Sequence, residues 1–455
     1  MRRTTPDEAE AILRAVVGDD LEPARNAIKT IVAWGDQHFA SVLIELMRAS
    51  QLQILHADGQ AAYSRALEAI TGEFRGDNWG AWVEWYDSTD LEPPPGFMRW
   101  KGELLGRLDP AFDRFLGEGV ATAIRIEEIV WGGVAFDGIP ALDQPKFIDA
   151  GRADYLEPDE PVFGIEINGD ARAYPLRILD WHELANDVVG GTPISLAYCT
   201  LCGSGIAYAG RVSDGTVYEF GSSGLLMRSN KLMYDRQTHT LWNQFTGRPV
   251  VGELVERNIR LDRVPIVVAR WKDWKAAHPA TRVLDIATGY DRDYSLGAAY
   301  AGYFATPELM FPVRQRSSLL AAKARVFGVE INGVPKAYTL DDLVEAQVTN
   351  DRVAMTNIVL VATQGTIRVE GRSVRTGPAT YRAGGEVRAY DRGARQFGPG
   401  PDPRTVTDAD GGSWRVTEDA LEGPGGERLP RIAGSLAYWF GWNAFYPEAR
   451  LYQEP

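Results

Sequence analysis

The sequence predicts an α+β protein: an N-terminal helical module followed by a β-rich unit that occurs twice, each copy sandwich- or barrel-like. Three observations predict it. Residues 6–92 place apolar side chains at helical spacing among strong helix formers. From about residue 120 the runs shorten, fill with Val, Ile, Tyr and Phe, and are punctuated by Gly, Asn, Asp and Pro, the pattern of strands and turns. A segment of that second region then recurs. Val162–Leu176 (VFGIEINGDARAYPL) and Val326–Leu340 (VFGVEINGVPKAYTL) agree at ten of fifteen positions, where chance gives roughly one.

The helical part divides into short segments. Helix formers run from Asp7 through Val17, and Gly18-Asp19-Asp20 precedes a second run from Leu21 to Trp34. Asp36 is placed to cap a third helix, and Ala61 to Ile70 form a fourth. The pattern ending in Trp79-Gly-Ala-Trp82-Val-Glu-Trp85-Tyr86 resembles the close of a HEAT-like repeat. Pro93-Pro94-Pro95-Gly96 ends it, since proline neither donates a backbone N–H nor continues a helix. The module spans 1–110.

In the β region, copy one covers 120–315 and copy two 320–455, with a connector over Gly289–Pro312. Each copy opens with an Asn-Gly hairpin, Asn168-Gly169 and Asn332-Gly333. The correspondence continues through Asn186-Asp187 with Asn350-Asp351, and through Trp271…Pro279 with Trp439…Pro447. Positions shared by the copies serve the fold. Positions confined to copy one are candidates for chemistry.

Composition narrows the function classes. With 48 basic and 62 acidic side chains the formal charge is −14, the wrong sign for a nucleic-acid surface or an anionic membrane. No run approaches the roughly 18–20 apolar residues that span a bilayer, and Met1-Arg-Arg-Thr-Thr-Pro-Asp-Glu has no apolar stretch of a secretory signal. A cytoplasmic protein whose partner is a small molecule or another protein is expected.

Chemistry concentrates in Cys199-Thr-Leu-Cys202-Gly203, which holds the only two cysteines of 455 residues. Two thiols three positions apart can share a metal ion or close a disulfide. Apolar β-like runs flank the turn, and Gly203 and Gly205 disfavour a helix after it. A strand, knuckle, strand shape is therefore expected. Two thiolates do not fill a tetrahedral site, so His182 with Glu183 or Asp187 are the candidate remaining ligands. Sulfur softness selects zinc, copper or iron. His182 can equally serve as base to a Cys199 nucleophile, with Cys202 as the resolving thiol. Copy two has Thr363 opposite Cys199, Ala346 opposite His182 and Gln347 opposite Glu183, so it keeps the scaffold and lacks the set. Asn186-Asp187, present in both copies, reads as structural. The Gly-rich Phe220–Gly224 lacks phosphate-loop spacing and reads as a turn at a cleft edge. His38, His56 and His239 read as surface residues, and His278 as packed.

The motifs Arg172-Ala-Tyr-Pro-Leu176, Trp181-His182-Glu183, Tyr198-Cys-Thr-Leu-Cys202-Gly, Phe220-Gly-Ser-Ser-Gly224, Ser229-Asn-Lys-Leu-Met-Tyr-Asp235 and Leu241-Trp242-Asn-Gln-Phe-Thr-Gly247 resemble the domain-of-unknown-function family numbered 3179, over residues 120–315. The resemblance groups His182, Cys199, Cys202, Asp235 and Trp242 as one set and implies no mechanism. The expectation is a metal-binding or thiol-redox protein of oxidoreductase type, with Cys199, Cys202, His182 and Asp235 as catalytic candidates. Cys199, Cys202, His182 and Glu183 are the candidate ligands of a transition metal. A metal-free cysteine enzyme and a non-catalytic interaction scaffold are the alternatives.

Overall fold

The computed structural model describes residues 4–18, 20–55, 59–313, 317–363 and 365–453. Asp19 and His56 lie outside them. Helices occupy the first hundred residues and strands most of the rest.

Each helix has a local cause. Thr5 and Glu8 cap one another around Pro6 at the start of Pro6–Val17, the reciprocal arrangement that satisfies two end N–H groups. Asp20 caps Leu21–Trp34, which stops at Gly35 in the left-handed conformation. Asp36 does cap, accepting from the His38 N–H at the head of a single 3-10 turn that runs into Ala40–Gln51. Gln60–Thr71 and Trp79–Asp87 follow. The proline run gives way at Gly96 to Phe97–Gly106. Among the described residues, no helix is long and apolar enough to cross a membrane. The helical region is fastened to the β-rich one. The buried Lys101 ammonium reaches Glu45 at 2.7 Å and the Ile126 carbonyl at 3.1 Å, and Arg125 returns to the Thr89 and Leu91 carbonyls.

The repeated segment builds the same object twice. Pro161–Ile167 pairs with Asp170–Pro175, and Arg325–Ile331 with Val334–Thr339. Both hairpins turn on Asn-Gly pairs with positive φ at both residues, the twist-matched two-residue turn. Short helices Leu176–His182 and Leu340–Ala346 follow. In each hairpin a glycine lies flat under a tryptophan: a methyl group on Gly164 would overlap the Trp274 ring, and one on Gly328 the Trp442 ring.

Asn186-Asp187 is structural, and its sibling shows how. Asn186 exchanges two hydrogen bonds with the Phe220 backbone, at 2.9 and 3.1 Å. Asn350 does the same to Phe397, at 2.6 and 3.0 Å. In copy two this joins the end strands of an eight-stranded sheet that is nearly closed as a barrel. In copy one it ties two five-stranded sheets together. The paired aspartates accept the hydroxyls of Tyr174 and Tyr338, at 2.7 and 2.6 Å.

Two sequence expectations change. Phe220–Gly224 is no turn. It opens a fully buried strand, Phe220–Met227. Its glycines are there for close approach, since a side chain at Gly221 would meet Tyr234 and one at Gly224 the Val134 carbonyl. Nor is His38 a plain surface residue: it is half-buried and its Nδ1 bonds the Glu92 carbonyl, whereas His239 is exposed as expected and stacks on Tyr234. His278 packs on Trp274 with ring centroids 4.0 Å apart.

Candidate functional site

Strand Thr192–Cys199 delivers Cys199 at its last position, and Ser204–Ala209 carries the chain back, with Cys199 opposite Ser204. The Gly203 N–H bonds the Thr200 carbonyl at 3.2 Å and closes the turn. Gly203 has φ +56°, and any side chain there would strike the Arg325 guanidinium. Both features demand glycine. No helix follows, so the strand, knuckle, strand expectation holds. Both cysteines are free thiols, 2% and 0% exposed.

Their surroundings are polar. The single S–H of Cys202 has two acceptors within reach, the Ser229 carbonyl at 3.3 Å and Cys199, and its Sγ receives the Asn230 amide at 3.5 Å. Lys231 Nζ reaches the Glu183 carboxylate at 3.0 Å, and the Thr200 hydroxyl donates to the same carboxylate at 3.2 Å. Burial pulls the Cys199 thiol upward. The Cys202 S–H and the backbone N–H groups of Lys231 and Cys202 more than offset it, so Cys199 lies below the ordinary thiol range. Burial and the donation to Cys199 push Cys202 well above it. Cys199 is thus the more acidic sulfur of the two and Cys202 the less acidic.

Glu183 reaches this place through an uncommon backbone conformation. It ends the helix Leu176–His182 at φ +56°, and its carbonyl accepts the Tyr198 N–H at 2.7 Å. In copy two Gln347 repeats the device at φ +60°, with its carbonyl on the Ala362 N–H at 2.8 Å. The backbone is common to both copies and the charge belongs to one.

His182 turns elsewhere. Nδ1 lies 2.8 Å from the Pro140 carbonyl, which can only accept, so Nδ1 carries the proton. Burial lowers its pKa, against the Pro140 hydrogen bond, which keeps the ring neutral and leaves Nε2 to accept the Tyr294 hydroxyl at 2.5 Å. Both ring nitrogens are occupied, and the ring packs against Tyr290 and Tyr294. Tyr290 lines a cleft of about 270 Å³ between residues 141–146 and 284–290. The expected ligand set Cys199, Cys202, His182 and Glu183 is therefore not drawn together. Among the described residues, no group of three or more His, Cys, Asp or Glu side chains is placed to hold a metal ion.

Asp235 serves its own turn. It accepts the Thr238 N–H at 2.6 Å, the Thr238 hydroxyl at 2.9 Å and the Trp242 indole N–H at 2.8 Å. Copy two repeats the motif, with Asp408 accepting from the Trp414 indole at 2.8 Å and the Gly412 N–H at 2.6 Å. A feature kept by both copies belongs to the fold.

Sequence reasoning missed Lys231 and Asn230 as members of the site, Asp180 as a buried carboxyl that feels the Glu183 charge, and Arg325, Tyr303 and Tyr438 as partners of the turn's carbonyls. The copy comparison carried a signal for one of them, since Val344 stands where copy one has Asp180.

A family model described as "Protein of unknown function (DUF3179)" matches residues 136–449, well over half of the chain. The match runs through both copies rather than the first alone. No curated protein and no solved structure matches the chain.

Proposed function

The chain belongs to the DUF3179 family, and from there we propose that it is a thiol-redox protein of oxidoreductase type, with Cys199 and Cys202 alternating between dithiol and disulfide. The observation that carries this is geometric: two free thiols on one tight turn, Cys199 at the end of a strand and Cys202 three residues on, both buried among polar groups, with Cys199 lowered in pKa and Cys202 raised. In the reduced form Cys202 donates its S–H to the Cys199 thiolate. Oxidation forms the S–S bond, releases the Cys202 proton and removes two electrons. Cys199 is the attacking sulfur and Cys202 the resolving one. Lys231 supports the thiolate through its backbone N–H, against the Glu183 charge, which raises the Cys199 pKa; the Lys231 ammonium pairs with that charge.

Geometry favours this over a shared metal. A tetrahedral ion needs four donors, whereas His182 is committed to Pro140 and Tyr294 and Glu183 to Lys231 and Thr200. The test is a titration of the reduced full chain against dithiol redox buffers, followed by acid quench, alkylation and mass measurement. The expected result is a single transition from two alkylated cysteines to none, lost in Cys199→Ser and in Cys202→Ser. Zinc, copper and iron are measured in the same preparation. A stoichiometric metal that disappears in both variants, with no disulfide at any potential, would hand the site to metal binding.

A further inference from the structure

Resting on the thiol-redox reading, we infer that the oxidant this site accepts is a small uncharged hydroperoxide, hydrogen peroxide being the simplest, rather than a disulfide partner. The first ground is access. Exchange with a disulfide requires the incoming S–S bond to line up behind the attacking sulfur. Here the sulfurs are 2% and 0% exposed, and the turn is covered from three directions. The Leu201 carbonyl takes the Tyr303 hydroxyl at 2.8 Å. The Cys202 carbonyl takes the Tyr438 N–H at 2.7 Å, and the Gly203 carbonyl takes Arg325 at 2.8 Å. A methyl group on Gly441 would stand 3.2 Å from Cys202 Sγ. Opening such a cover breaks several hydrogen bonds at once, whereas a neutral molecule little larger than water needs only local fluctuation.

The second ground is hydrogen-bonding capacity left inside. Ser229 Oγ and Asn230 Oδ1 have no hydrogen-bond partner among the described residues. Their residues are 1% and 0% exposed, and both residues touch Cys202 Sγ through other atoms, the Ser229 carbonyl and the Asn230 amide nitrogen. Buried polar atoms are nearly always paired, so two orphans on residues that touch the thiol offer hydrogen-bonding capacity to a polar guest. They are held firmly there. Asn230 is fixed by Gln244 at 2.8 Å. Arg228 and Ser229 adopt positive φ, and Arg228 is bonded to Glu128 at 2.6 and 3.0 Å and to the Ala444 carbonyl at 2.7 Å. The amide oxygen accepts an O–H, and the hydroxyl both donates and accepts, which matches the two donors and two acceptors of a peroxide.

The chemistry balances without another reactant. The Cys199 thiolate attacks one peroxide oxygen. The S–O bond forms as O–O breaks, and the departing hydroxide takes the proton that Cys199 gave up on ionising, leaving as water. Cys199 is then a sulfenic acid. Cys202 sulfur attacks the Cys199 sulfur, its proton leaves with the displaced hydroxyl as a second water, and the disulfide forms.

The test uses the reduced, desalted full chain, mixed with hydrogen peroxide or with oxidised glutathione at equal concentration. Remaining thiols are counted by alkylation and mass after acid quench. Peroxide is expected to close the pair at least about tenfold faster than the disulfide, whose approach is blocked. Ser229→Ala, which removes a hydroxyl with no hydrogen-bond partner among the described residues, is expected to slow the peroxide reaction several-fold. Cys202→Ser is expected to stop at a Cys199 sulfenic acid that a cyclic 1,3-dione traps. Equal or faster oxidation by glutathione disulfide overturns the inference. A pair that closes in dithiol buffers yet ignores peroxide overturns it too, while leaving the redox reading standing. A pair that stays reduced in every oxidant overturns both.

Discussion

Tyr438, in copy two, donates its backbone N–H to the carbonyl of Cys202, in copy one, across 2.7 Å. The residue count between them is large and the bond is short, so the second copy is part of the thiol turn's own framework. Arg325 completes the clamp: it bonds the Gly203 carbonyl at 2.8 Å and lies over the Tyr438 ring at 4.1 Å. Arg325→Met removes the charged donor and keeps the stem. It is expected to cost about 1.5–3 kcal/mol, the range for a hydrogen bond to a charged group, and to speed native-state alkylation of both cysteines. Unchanged alkylation rates would show that the clamp does not control access.

The acidity split has its own signature. Cys199 is lowered chiefly through the Cys202 S–H, against its burial. Thiolate ultraviolet absorbance followed against pH is expected to show one group ionising below the ordinary thiol value of about 8.5, with the second far above. In Cys202→Ala the donor is gone and burial remains, so the first inflection is expected to move up. An inflection that stays put would mean that Cys202 does not stabilise the thiolate.

Glu183 and Lys231 form a buried pair, 10% and 4% exposed at their side chains. Removing one partner strands the other charge. Lys231→Met is therefore expected to cost about 3–5 kcal/mol. Glu183→Gln introduces the residue that copy two carries as Gln347 at the same backbone conformation. The double variant Glu183→Gln with Lys231→Met is expected to recover a good part of the loss, since no lone charge remains. Denaturant unfolding of the four proteins gives the coupling. Strict additivity would deny that the two charges depend on each other.

Gly164 and Gly328 test the repeat directly. Each lies under its tryptophan where a methyl group would overlap the ring, and neither has a positive φ, so the cost of alanine is steric alone. Gly164→Ala and Gly328→Ala are each expected to destabilise by about 1–3 kcal/mol or more, with similar values at the two sites. One damaging and one silent substitution would mean that the two packings are not equivalent in energy.

How far the sequence could be read follows from what each feature depends on. The helices and the doubled hairpin were legible, because capping, periodicity and Asn-Gly turns act over a few residues. Helical periodicity does not distinguish a HEAT-like repeat from other packings of the same helices. The near-closure of the copy-two barrel was not legible, because it depends on Asn350 meeting Phe397, 47 positions away. His182 misled for a related reason. Its absence from copy two is real, but its partners are the Pro140 carbonyl and Tyr294, 42 and 112 positions distant, and no local pattern points to them. Lys231 was visible only as a charge in a hairpin, since its partner Glu183 lies 48 positions before it.

Asp180 gives the sharpest pH dependence. It lies on the helix Leu176–His182, is 3% exposed, and has one carboxylate oxygen without a hydrogen-bond partner among the described residues. Burial first, and then the Glu183 charge, raise its pKa to about 8, against the opposing pull of Tyr198 and Arg325. In the unfolded chain the group titrates near the ordinary value of about 3.9. Between those two values the native state binds a proton that the unfolded state has released, so the unfolded state gains on the native one as pH rises. The contribution is fully present below the unfolded pKa, declines by at most about 1.4 kcal/mol per pH unit, and is lost once pH passes the folded pKa. Asp180→Asn cannot ionise and keeps the shape. It is expected to flatten the fall in stability between pH 5 and pH 8 and to exceed the parent protein by at least about 1 kcal/mol at pH 8, with little difference at pH 4. Urea unfolding at these pH values measures it. Parallel stability curves for the two proteins would mean that Asp180 ionises in place, with Arg325 close enough to hold its charge.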